Sequence, residues 1–126
     1  MKKVVVVGGG AAGLMAAIAA AESGAKVTLL ERNKQVGKKI LVTGNGRCNL
    51  TNTDQSLTHY RTSQPGFLAQ VFDRVGIQDT LNKFTEFGIF TKNRNGYLYP
   101  YSDQAASVAE VLRLEAEHLG VKLALN

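Results

Sequence analysis

Gly8, Gly10 and Gly13, followed by Glu31, are the residues of this chain whose types and spacing can do chemistry. Together they fit a dinucleotide site. Gly8 permits a tight turn. Gly10 has no Cβ, so a pyrophosphate can approach the backbone. Gly13 lets the following helix lie close to the preceding strand. Ala11 and Ala12 open that helix, where free N–H groups point at phosphate and the helix dipole favours its charge. A carboxylate at Glu31 accepts hydrogen bonds from both ribose hydroxyls and repels a 2′-phosphate. The expected ligand is therefore a nucleotide not phosphorylated at that position.

The elements that must position these residues follow from the sequence pattern. Lys3–Val7 is β-branched and apolar on consecutive positions, as a strand buried on both faces requires. Leu14, Ala17, Ile18 and Ala21 have the spacing of one helix face. Gly24 stands where a helix C-terminus takes a left-handed residue. Val27, Leu29 and Leu30 read as a second strand that ends at Glu31. Strand, glycine turn, helix and strand, in that order, are the context the fingerprint demands. Lys2-Lys3 and an apolar stretch also begin a signal peptide, but three consecutive glycines interrupt it and Glu22 starts a soluble pattern. Gly and Ala dominate the uncharged run from Val4 to Ala21, which does not describe a membrane span.

Arg32 to Asn52 has no clean period. It holds Gly37, Gly44 and Gly46 and the basic residues Arg32, Lys34, Lys38, Lys39 and Arg47. Such a loop, long and glycine-spaced, suits an ordered backbone that approaches a ligand closely. Residues 51–66 read as a polar loop. Phe67, Leu68, Val71, Phe72 and Val75 give one short helix; Ile77, Leu81 and Phe84 give another, ended by Gly88. Asn95-Gly96 between two strand-like arms predicts a type I′ hairpin. Pro100 confines the second arm to a sheet edge. Tyr97, Tyr99 and Tyr101 share one face of it, expected to pack against a neighbouring helix. Ser102 can cap a last helix with Asp103 in its first turn. Ala105, Val108, Ala109, Leu112, Ala116 and Leu119 form that helix's buried face, and Val121–Leu125 is a final strand.

The fold class is therefore α/β. Three parallel strands in the order 3-2-1 make one half of a doubly wound, Rossmann-like sheet, with helices and a small β-hairpin. The first strand is then an edge, although its sequence reads as fully buried. Residues 1–126 are expected to be the N-terminal part of a longer protein. The composition, 44% hydrophobic and 20% charged, is that of an ordinary globular chain. The net charge of +5 suits an anionic ligand at least as well as nucleic acid. A single cysteine, Cys48, rules out an internal disulfide, and a cytoplasmic location is the default. His59 and His118 are isolated, no metal-ligand spacing exists, and no catalytic triad or carboxylate pair stands out.

These motifs carry a resemblance. Gly8-Gly-Gly10-Ala-Ala-Gly13 with Glu31-Arg32 resembles the FAD-binding start of the glutathione-reductase-type flavoproteins. Gly37-Lys-Lys-Ile-Leu-Val-Thr-Gly-Asn-Gly-Arg-Cys-Asn-Leu-Thr-Asn52 is similar to the signature of bacterial NAD(P)/FAD-dependent oxidoreductases, the aminoacetone-oxidase-like or YhiN-like flavoproteins. Gly96-Tyr-Leu-Tyr-Pro100 with Ser102-Asp-Gln-Ala105 resembles a second motif of that group, where a Phe is more usual than Tyr99. The resemblance covers the whole chain. It implies a FAD domain interrupted by an inserted substrate domain, NAD(P)H as electron donor and a small organic acceptor. It implies neither a membrane nor a nucleic-acid partner, although some tRNA-modifying enzymes share the FAD fold.

On that footing Glu31 holds the adenosine ribose, with Arg32 beside it. Lys39 meets phosphate. Thr43, Gly44, Arg47, Cys48 and Asn49 approach the flavin, and Arg47 or a backbone N–H stabilises negative charge on the reduced ring. The plain alternative for the last three is a tight turn in which Asn49 bonds its own backbone. Cys48 has no second cysteine with which to exchange a disulfide.

Overall fold

The computed structural model describes residues 1–126, which fall into two compact units. Met1–Cys48 and Ser102–Asn126 form the first, and Asn49–Tyr101 form the second.

The first unit holds strand β1 (Lys3–Val7), helix α1 (Ala11–Glu22) and strand β2 (Lys26–Glu31). A 3-10 segment follows at Ile40–Gly46. Helix α4 (Ala105–His118) and strand β6 (Lys122–Leu125) complete the unit. β1 pairs parallel with β2, and β2 parallel with β6, so β2 is central and the order is the expected one. Right-handed crossovers on both sides of β2 put α1 and α4 on one face of the sheet, where they contact each other. Leu14, Ala17 and Ile18 of α1 and Val27 and Leu29 of β2 are buried there. So are Ala105, Val108, Ala109, Leu112 and Ala116 of α4. Gly24 takes φ +86 just beyond α1 and donates its N–H to Ala21 O.

β1 is the expected edge of this sheet, and Val5 and Val7 are 62% and 82% exposed. Val5, Val7 and Leu30, the register partner of Val7, point away from the face that the two helices cover. One expectation for this unit needs correction, the start of α4. Ser102 does not cap α4, and Asp103 is not in its first turn. Asp103 sits at φ +53, which breaks the helical path, so α4 starts at Ala105. Ser102 Oγ instead accepts the Gln104 N–H at 3.2 Å and lies 2.7 Å from Ser107 Oγ.

The second unit carries β3 (Thr51–Asn52), helices α2 (Pro65–Arg74) and α3 (Ile77–Glu86), and strands β4 (Thr91–Arg94) and β5 (Tyr97–Pro100). A single 3-10 turn spans Leu57–His59. The Asp79 carboxylate accepts the Gly76 N–H at 2.8 Å and so closes the start of α3. Asn95 and Gly96 both take positive φ, as the type I′ turn requires. Here too the sequence reading is corrected. Thr51–Asn52 is a strand rather than loop, and it makes β5 the centre of a three-stranded antiparallel sheet ordered β3-β5-β4. Pro100 tolerates this because β3 pairs only with Leu98 and Tyr97 and never asks Pro100 for an N–H.

Candidate functional site

The glycine loop is built by hydrogen bonds that run back to β2. Gly8, at φ +99, donates its N–H to Leu30 O at 2.8 Å. Gly9 donates its N–H to Glu31 Oε2 at 2.7 Å. Gly37, at φ +73, donates its N–H to Gly9 O at 2.7 Å. The loop therefore has one edge tied to the end of β2 and another tied to the segment that follows.

Each glycine of the fingerprint has a distinct reason. A Cβ on Gly13 would lie 1.8 Å from Gly8 O, so only glycine allows α1 to approach the loop this closely. A Cβ on Gly10 would meet nothing within 4 Å, so the space over that residue is open to a ligand. Gly10 is the N-cap of α1, with no side-chain cap and no acidic residue in the first turn. The amides at the start of Ala11–Gly13 are thus left for an anion, with the dipole in its favour.

Glu31 faces this loop. Its Oε2 accepts from Gly9, and its Oε1 accepts from the Asn33 N–H at 2.8 Å and the Asn33 side-chain amide at 2.7 Å. These bonds, the Asn33 backbone N–H first and that of Gly9 next, hold its pKa below the ordinary carboxylate value. The group is therefore an anion at neutral pH. A crevice lies beside it at the carboxyl ends of β1, β2 and β6, lined by Val7, Gly8, Leu30, Glu31, Arg32 and Ala124 among others. Open parallel sheets bind ligands at this edge. Arg32 also lines a neighbouring shallow depression with Asn33, Lys38, Lys39 and Val42.

Thr43, Gly44, Arg47 and Cys48 lie on or just after the 3-10 segment. Thr43 leaves the helical path at ψ 150, and Gly44 and Asn45 follow in left-handed conformations. Thr43 O accepts the Cys48 N–H at 3.0 Å and Gly44 O accepts the Arg47 N–H at 3.1 Å, so the loop is ordered by its own backbone. The Cys48 thiol is buried, and burial pushes its pKa up. Asn49 falls in the second unit. With its amide turned so that nitrogen donates, it reaches Thr51 O at 2.8 Å and Leu98 O at 3.2 Å. Those carbonyls belong to Thr51 and to Leu98 of β5, not to the backbone of Asn49 itself.

Gly8, Glu31 and Arg32 therefore line the crevice, Gly10, Ala11, Ala12 and Gly13 follow Gly8 as the loop and the opening of α1, and Lys39 lines the depression that shares Arg32. Sequence reasoning missed Gly9, Asn33, Val36 and Gly37 as parts of the same construction. A Cβ on Gly9 would come 2.7 Å from Val36 Cγ1 and 3.1 Å from Glu31 Oε2. The run of three glycines was the available signal.

Comparison with known proteins agrees with this geometry. Residues 2–126 match the family described as "HI0933-like protein Rossmann domain", and the chain belongs to that family. It is 49% identical over 112 residues to a 3-dehydro-bile acid delta(4,6)-reductase of Clostridium scindens, covering 87% of this chain and 27% of the relative. It is 33% identical over 114 residues to a ribosomal RNA dihydrouridine synthase of Haemophilus influenzae, covering 90% of this chain and 28% of the relative. The chain thus spans about a quarter of the length of the curated relatives it matches. Among solved structures, the 3-ketosteroid-delta4-(5alpha)-dehydrogenase of Rhodococcus jostii shares the fold at a TM-score of 0.60 and 16% identity, over 98% of this chain and 38% of that one. THI4 of Thermovibrio ammonificans does so at 0.60 and 18%, again over 98% and 38%. No helix is long and apolar enough to cross a membrane.

Proposed function

We propose, from the premise of that family membership, that residues 1–126 are the N-terminal, FAD-binding part of a longer flavoprotein oxidoreductase. The observation that carries this reading is Glu31, fixed as an anion against an uncapped, glycine-lined helix N-terminus. The residues present fit the cofactor. The Gly10 backbone has open space for a diphosphate, and the first amides of α1 donate to it. Glu31 takes the adenosine ribose hydroxyls on the lone pairs that Gly9 and Asn33 leave available. Arg32 and Lys39 supply positive charge nearby. Thr43, Gly44, Arg47 and Cys48 belong to the loop that lies along the flavin in this reading, and Asn49 to its continuation. When bound, the flavin supplies hydride transfer from NAD(P)H to an organic acceptor.

The relatives' names suggest the acceptor. A delta(4,6)-reductase and a dihydrouridine synthase both saturate carbon–carbon double bonds, and in a 3-oxo steroid and in uracil that bond is conjugated to a carbonyl. A small conjugated enone is the substrate class we assign. A second reading places the acceptor in RNA, favoured by the two relatives of this chain named for ribosomal RNA. A cytoplasmic location is part of the same proposal. The 126-residue chain alone binds nucleotide without turnover.

Purification of the full-length protein tests the proposal. It is expected to carry flavin absorbance, or to regain it with FAD, and to oxidise NAD(P)H when given an enone. A colourless protein that FAD does not reconstitute would end this assignment.

A further inference from the structure

We infer that the open face of the β3-β5-β4 sheet is a stacking platform for single-stranded RNA. The inference rests on the geometry of the second unit and not on the flavin reading. Along β5, Leu98 and Pro100 are buried, so the residues between and beside them point to the other face. Those are Tyr97, Tyr99 and Tyr101. Tyr97 and Tyr101 are 50% and 68% exposed, so the face does not pack on a helix as the sequence suggested.

The facing strand supplies cations in register. Arg94 pairs with Tyr97 and Lys92 with Tyr99, and residues opposite one another share a face. The Tyr101 N–H donates to Phe90 O, which continues the ladder to a 60% exposed Phe90. The Arg94 guanidinium lies 5.6 Å from the Tyr99 ring centroid, and the Lys92 ammonium 6.0 Å from that of Tyr101. Rings alternate with positive charges along the strand at about 6.7 Å per ring.

A surface for an apolar partner has no need of a cation beside each ring. A polyanion that carries flat, stackable bases needs both. At Tyr97 the platform ends in a polar pocket lined by Asn52, Gln55 and His59, with Asp54 held 2.8 Å from the His59 ring. These groups suit a sugar hydroxyl. That favours RNA, whose 2′-hydroxyl DNA lacks.

The test uses the full-length protein and fluorescein-labelled 12-nucleotide single strands of RNA and of DNA, followed by anisotropy at low and at raised salt. RNA is expected to bind more tightly than DNA and to weaken as salt rises. Tyr97→Ala and Tyr101→Ala are each expected to weaken RNA binding by about 5- to 150-fold, and Tyr97→Phe and Tyr101→Phe to restore it. Arg94→Gln is expected to reduce the salt slope by about 0.7. Melting temperature and cofactor content, unchanged in these variants, keep loss of RNA binding distinct from loss of fold or of flavin. Should the alanine variants unfold, cross-linking of 4-thiouridine RNA to the wild-type protein is expected to label the 90–101 peptide. Absence of binding at low salt, equal affinity for DNA, alanine variants that bind like the phenylalanine ones, or cross-links confined to other peptides would overturn the inference. Protection of Tyr101 from nitration in the full-length protein would do the same, because another segment would then cover the platform.

Discussion

Gly9 and Glu31 meet at 2.7 Å, the amide of the glycine loop donating to Oε2 of the last residue of β2. The contact orients the carboxylate before any ligand arrives. A preformed anion at the ribose position loses no side-chain freedom on binding, which favours affinity. Replacing Glu31 by Gln removes the charge and presents an N–H₂ to groups that themselves donate. Glu31→Gln is expected to weaken FAD binding by about tenfold or more. Titration of the apoprotein with FAD, followed by flavin fluorescence, measures this. Unchanged affinity would show that the carboxylate is not a cofactor ligand.

Acid should loosen the same contact. The Glu31 pKa is lowered in the folded chain, so its bonds add stability above the unfolded value, about 4.3. That contribution is lost as pH falls through the folded value. Urea midpoints between pH 7 and pH 3 are expected to fall less steeply for Glu31→Gln than for the parent chain. Parallel curves would mean that Glu31 does not contribute to the acid sensitivity.

Two alanine substitutions separate packing from ligand contact. In Gly13→Ala the new methyl collides with Gly8 O, so the helix must move away from the loop. A loss of about 1–3 kcal/mol or more is expected, together with loss of cofactor. In Gly10→Ala the methyl enters open space at an ordinary φ of −80. Stability should change by no more than about 1 kcal/mol, the scale of a cap substitution, while FAD affinity falls. Thermal melting of both apoproteins beside FAD titration distinguishes the two. Retained FAD affinity in Gly10→Ala would remove the diphosphate from that position.

Cys48 is expected to be chemically quiet. Its thiol is buried and its pKa raised, so little thiolate forms at neutral pH. Reaction with Ellman's reagent should be slow in the folded protein and fast in urea, and Cys48→Ser should retain flavin and activity. Rapid labelling of the folded protein, or lost turnover in a well-folded variant, would reopen thiol chemistry.

The first unit was legible in the sequence because each of its elements carries a strong local signal. The valines of β1, the glycines of the loop, the periodic face of α4 and the glycine after α1 each name one structure, and the strand order follows from chain connectivity. Less legible were contacts that depend on segments meeting after folding. Nothing local told that Gly37 would bond Gly9 O, or that Asn33 would take the second oxygen of Glu31. The second unit misled for a similar reason. Thr51–Asn52 is too short and polar to read as a strand, yet pairing with Leu98 and Tyr97 makes it one. Its presence moves Pro100 into a central strand. The Tyr97–Tyr101 alternation was visible, but which face it served depended on where Leu98 was buried. Asp103 carried no sign of the left-handed turn that delays α4.

Gly37 is so close to α4 that a Cβ on it would stand 3.1 Å from that of Ala109, and the same residue fastens the glycine loop through Gly9 O. The glycine loop is thus braced by a helix the chain supplies much later, so the shape of the loop around Gly8 to Gly13 depends on α4 being packed against Gly37.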